Sequence, residues 1–121
     1  MASYEYLEKV RIGDKDLERA DLTEADLSNA NLKEANLRRA NLENAYLSRA
    51  NLTKASLSSA KCKNASMTFA NLNSCDLRNA NLSSASFHGA DLTRADLTSA
   101  ITQGTSFKSA KLIGTKGYKP S

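Results

Sequence analysis

The chain has 121 residues, of which 40% are hydrophobic, yet it holds no Trp, three Phe and a single Pro, so a globular core built from bulky side chains is excluded in favour of a narrow, repetitive one. Its 17 basic and 13 acidic residues give a formal charge of +4 and are interspersed, which describes a solvated surface. Two cysteines are too few for a disulfide scaffold.

Residues 3–12 (SYEYLEKVRI) predict a short cap helix, with Ser3 as N-cap, Tyr4, Leu7 and Val10 along one face and Gly13 ending the last turn. The rival reading is an imperfect strand that extends the later register through Leu7 and Ile12. Glu5 and Lys15 stand where that register needs Ala, which favours the helix. The segment Met1 to Gly13 is charged where a secretory leader is apolar, and no stretch approaches the length of a membrane span, so the expected address is cytoplasmic with no membrane partner.

From Asp16 to Leu112 a unit of five residues repeats without insertion. Leu fills fifteen of the twenty positions 17, 22, 27 and onward to 112, and Ala seventeen of the nineteen from 20 to 110. A step of five suits neither regular period: on an α-helix successive Leu residues advance by about 140°, and on a flat strand they alternate faces. Within each unit, however, Ala and Leu are two apart, which puts both on one side of a short extended segment. The remaining three positions then face water while the chain turns, and a constant bend at each unit generates a superhelix whose coils stack about 4.8 Å apart. Met67, Phe87 and Phe107 replace Leu at intervals of twenty, which favours four units per coil.

The tiling ADLTE, ADLSN, ANLKE, ANLRR and ANLEN resembles the pentapeptide-repeat family over about four fifths of the chain. The resemblance implies an all-β fold, a right-handed quadrilateral β-helix of about five coils, with the central Leu and the preceding Ala inside. The expected organisation is a cap segment over 1–14, the repeat helix over 15–114 and a tail over 115–121. The coil ends leave unpaired backbone. Ile113 and Tyr118 are expected to fold over the last coil, Gly114, Gly117 and Pro120 suggest a mobile tail, and the resemblance makes the chain a monomer or an end-to-end homodimer.

No constellation for catalysis is present, so the chain is read as no enzyme and as needing no cofactor or metal. His88 is the only histidine. The Asp residues at 21, 26, 76, 91 and 96 all hold the Asp/Asn position of the unit, where a side chain serves the turn backbone. Cys62 and Cys75 hold inward positions and are expected to be buried thiols. Basic residues lack the aromatic interleaving of single-strand binders, which argues against nucleic acid. The resemblance offers one alternative function, an acidic rod that imitates DNA and regulates gyrase; the charge counts give −1 on one wall and +1, +1 and +2 on the others, so no wall is an acidic strip. The third wall stands out instead: Tyr46, Arg49, Phe69, His88 and Lys108 compose the candidate face for an unknown protein partner on a structural scaffold.

Overall fold

The computed structural model describes residues 1–120. Helix α1 spans Tyr4–Arg11, with Glu5 in its first turn and Lys9 and Arg11 in its last, the polarity that the backbone dipole favours. Its end is a Schellman closure: the N–H of Gly13 donates to Val10 O at 3.1 Å and that of Asp14 to Lys9 O at 2.9 Å, with Gly13 at φ 82°. Ser3 occupies the N-cap in an extended conformation, but its side chain makes no cap bond. Its N–H donates instead to Asp21 O at 2.9 Å, and this tether sets the roll of the helix.

The buried face of α1 therefore differs from the one read from the sequence. Ala2, Tyr6 and Val10 pack against the core, whereas Tyr4 is 83% exposed and Leu7 is exposed. Tyr6 and Val10 are one turn apart and so share a side. Spacing alone allowed two such sides.

Beyond Lys15 every β-bridge is parallel and joins residue i to residue i+20, from Asp16↔Asn36 to Asp96↔Lys116. Four five-residue units thus complete one turn, as the spacing of Met67, Phe87 and Phe107 indicates. Each bridge has the same chemistry: Leu17 N–H donates to Asn36 O and Asn36 N–H to Lys15 O, both at 2.8 Å. Between walls the chain turns over two residues, closed by the bond from Ala20 N–H to Leu17 O at 3.0 Å and its equivalents.

The second of those two residues has positive φ at all twenty corners from Arg19 to Gly114, and seventeen of them are not glycine. A positive φ at the third residue of a bonded four-residue turn is the type II geometry. It strains an L-residue by about 1 kcal/mol, and what offsets the strain is another bond between coils, as from Arg19 N–H to Arg38 O at 2.8 Å. The Asp/Asn side chains brace the same corner. Asp21, Asn41, Asn51, Asp91 and others each accept the N–H of the residue two further on, at 2.9 to 3.2 Å.

Every buried side chain among the described residues is apolar, and the half-buried Thr105 and Thr115, at Ala positions of the last coil, donate their hydroxyls to Leu82 O and Leu92 O at 2.6 and 2.7 Å. Ala and Leu alternate inward as the pattern requires, with Cys62, Met67, Cys75 and Phe87 fitted among them. Phe87 stacks on Phe107 with centroids 5.4 Å apart and planes 7° from parallel. Tyr118 then meets Phe107 edge-on at 5.2 Å. Of the two residues expected over the last coil, Tyr118 folds back and Ile113 does not, being 73% exposed. Position 113 is the first outward residue of its corner, so its side chain points away from the bore.

Candidate functional site

The third wall carries the residues at 26–29, 46–49, 66–69, 86–89 and 106–109, stacked by the twenty-residue register. Its Asp/Asn position holds Tyr46, Ser66, Ser86 and Ser106 after Asp26, so the corner brace weakens along the wall: Asp26 Oδ1 accepts from Ser28 N–H at 3.1 Å, whereas Ser86 Oγ and Ser106 Oγ accept from His88 N–H and Lys108 N–H at 3.3 and 3.4 Å. Two columns face solvent. The first runs Ser48, Thr68, His88, Lys108, with Ser48 and Thr68 hydroxyls 2.7 Å apart. The second runs Arg49, Phe69, Gly89, Ser109.

Phe69 organises this surface. Its φ is 59°, a conformation rare for an aromatic residue, and it aims the ring along the column toward the next coil. Arg49 lies with its guanidinium carbon 5.5 Å from the ring centroid, and the His88 imidazole meets the ring at 81° with centroids 5.4 Å apart. The ring occupies the space above Gly89, where an added Cβ would come within 2.5 Å of Phe69 Cε1. Arg49, Phe69 and His88 are thus one stack. Phe69 remains 53% exposed.

Tyr46 shares the wall but joins no ring contact among the described residues; its backbone pairs with Asp26 and Ser66, and its side chain is 56% exposed. Lys108 accepts the Gly89 N–H through its carbonyl at 2.9 Å. Lys108 also borders a depression of about 350 Å³ shared with Thr102, Thr105, Phe107, Tyr118 and Lys119. The positive-φ corner was not read from the sequence, although Gly89, Gly104 and Gly114 all occupy it and signal it.

Chemistry elsewhere is that of a scaffold. Hydrogen bonds from Thr23, Ser28, Arg78, Thr93 and Thr98 hold the carboxyls of Asp21, Asp26, Asp76, Asp91 and Asp96 below the usual carboxylate range, which keeps them charged acceptors. Burial pushes the Cys62 thiol up to about 12 and raises Cys75 as well. Both are free and buried. Among the described residues no group of three or more His, Cys, Asp or Glu is placed to hold a metal ion, and no helix is long and apolar enough to cross a membrane.

The sequence pattern described as pentapeptide repeats matches residues 6–39, 35–68, 60–98 and 90–116, in eight copies. The chain belongs to the pentapeptide-repeat family. Such proteins form right-handed quadrilateral β-helices, and the twenty-residue register of this chain is the register of that fold. The pentapeptide-repeat protein Rfr23 from the cyanobacterium Cyanothece 51142 is similar at 36% identity, with 86% of this chain and 68% of that one covered and a TM-score of 0.72. Alr5209, a pentapeptide-repeat protein from Nostoc Pcc 7120, is 30% identical over 87% of this chain and 94% of its own, with a TM-score of 0.49. QnrB1, a plasmid-mediated fluoroquinolone resistance protein, is 22% identical over 80% of this chain and 60% of its own, with a TM-score of 0.37. No curated protein matches.

Proposed function

We propose that this pentapeptide-repeat protein is a non-enzymatic, cytoplasmic scaffold of about five coils that binds a protein partner through its third wall, with Tyr46, Arg49, Phe69, His88 and Lys108 forming the face. Residues 1–14 serve as its cap, 15–114 as the scaffold and 115–121 as a tail. The observation that carries this reading is the Arg49–Phe69–His88 stack over Gly89. An exposed aromatic ring flanked by a guanidinium has the composition of an interface hot spot. Because a ladder of backbone bonds fixes both columns, binding orders few side chains and little conformational entropy is lost.

The double substitution Tyr46→Ala with Phe69→Ala tests the reading. Neither side chain belongs to the buried core, so the fold persists, while proteins captured from the source cell by the parent are lost from the variant. Recovery of the same proteins by a folded variant rejects the face. Regulation of gyrase by DNA mimicry is the competing class, and the scattered basic residues oppose it; rescue or inhibition of gyrase supercoiling by the parent protein would replace the present reading with that one.

A further inference from the structure

Carried backwards, the twenty-residue register runs into α1: the places opposite Asp26 and Asn31 belong to Tyr6 and Arg11, both in the helix. The rungs that those residues would complete are open. In later coils the Asp/Asn position donates to the coil before it and its carbonyl accepts from it, as Asn36 N–H does to Lys15 O and Asn36 O from Leu17 N–H. Asp26 N–H and O, Asn31 N–H, Ser28 O and Lys33 O have no protein partner among the described residues, and Asn31 O is met only by the Lys15 ammonium at 3.0 Å. Ala25 and Leu27, beside the open rung, are the least completely covered of the buried residues, at 5% and 4%. Leu7 shares a depression of about 650 Å³ with Ala25 and Asp26.

The helical segment also spells two units. In Tyr6-Leu7-Glu8-Lys9-Val10 and Arg11-Ile12-Gly13-Asp14-Lys15 the central positions fall on Leu7 and Ile12, and the match to the repeat pattern begins at residue 6. Most of these side chains have a precedent at the same place in a later unit: Tyr46 for Tyr6, Glu18 for Glu8, Lys54 for Lys9 and Lys61 for Arg11. Asp14 falls at the positive-φ corner, which Asp tolerates. Val10 falls at an Ala position, where the last coil accepts Thr105 and Thr115, side chains of the same branched shape. In the helix Leu7 and Ile12 are exposed, while Tyr6 and Val10 carry the packing.

We propose that residues 6–15 are a convertible cap, forming α1 in one state and half a coil of the β-helix in another. In the second state Leu7 and Lys9 N–H donate to Asp26 O and Ser28 O, and Ile12 and Asp14 N–H to Asn31 O and Lys33 O. Asp26 and Asn31 N–H donate to Glu5 O and Val10 O, so that every bond has the sequence offset of its equivalents in later coils. Leu7 and Ile12 turn inward over Leu27 and Leu32, and Lys15 releases Asn31 O. The helix holds the balance in the resting protein through the packing of Tyr6 and Val10 and the Glu8–Arg11 ion pair. Conversion lengthens the third wall by one rung and sets Tyr6 in the column of Asp26 and Tyr46. The exchange rests on the register and needs no partner at that face.

Glu8→Pro combined with Lys9→Gly isolates the second state. Proline at position 8 removes an N–H that the helix uses and pushes Leu7 to extended backbone, yet proline suits the second residue of a type II turn and glycine the third. The variant is expected to lose its helical circular dichroism and to slow hydrogen exchange at the Asp26 and Asn31 amides by about tenfold or more relative to the parent. Glu8→Ala keeps the helix and the parental exchange. In the parent, saturation-transfer NMR is expected to detect a second state populated at about 1%, with extended Cα shifts at Leu7 and Ile12. Those shifts decide the matter even if the proline variant misfolds. The proposal is overturned if a folded variant leaves both amides exchanging as in the parent, or if the parent has no second state or one with disordered shifts at Leu7 and Ile12.

Discussion

The Phe69 ring lies over Gly89, one coil further along, in the space that a methyl group on Gly89 would claim. Both residues hold the positive-φ corner, where most other units have an ordinary side chain, so the conformation alone does not demand glycine at 89. The neighbour does. Gly89→Ala is expected to displace Phe69, lower the melting temperature and cost about 1 to 3 kcal/mol. Gly89→Ala combined with Phe69→Ala recovers most of that loss, because the clash is with the ring; an equal loss in single and double variants would show that the backbone strain alone is responsible.

Ala50 is 1% exposed and sits in a bore whose other wall positions are filled by Leu47, Leu52 and their stacked equivalents. Ala50→Leu adds three carbons with nowhere to go and is expected to destabilise by about 1 to 3 kcal/mol. A melting temperature equal to that of the parent would mean the bore has room for larger inward residues.

The thiols offer a test of closure. Cys62 and Cys75 are no more than 1% exposed and are both shifted upward by burial. A thiol reagent at neutral pH is expected to leave the native protein unlabelled and to modify both residues once denaturant unfolds it. Rapid labelling in native buffer would show that the coil opens locally.

Acid should loosen the corners. Asp21, Asp26, Asp76, Asp91 and Asp96 have carboxyls held below their ordinary values, chiefly by side-chain hydrogen bonds. A depressed folded value means that the contribution is present above the unfolded value of about 3.9 and is lost as pH falls through the lower folded one. The melting temperature is expected to drop below about pH 4. Replacing the five aspartates by Asn, which already fills the same position at Asn31, Asn36, Asn41, Asn51, Asn71 and Asn81, flattens that drop. An unchanged acid profile in the Asn variant would remove the carboxylates from the account.

The candidate face was partly legible. Phe69, Arg49, Gly89 and His88 are neighbours once a turn of twenty residues is assumed, and the sequence supports that assumption through Met67, Phe87 and Phe107. That Phe69 contacts Arg49 and His88 and not Tyr46 depends on the positive φ at its corner, which fixes the direction of the ring. No pattern of residue types states that direction.

By itself the sequence determined which residues face the bore, because inward and outward positions follow from a spacing of two within a unit of five, and every unit repeats the same local choice. The Asp/Asn braces belong to the same class, each acting on an N–H two residues away. Only the tertiary structure decided the roll of α1 and the fold-back of Tyr118. Those features lie outside the repeated unit, where the five-residue pattern does not dictate the partner and contacts between segments distant in the chain settle the arrangement.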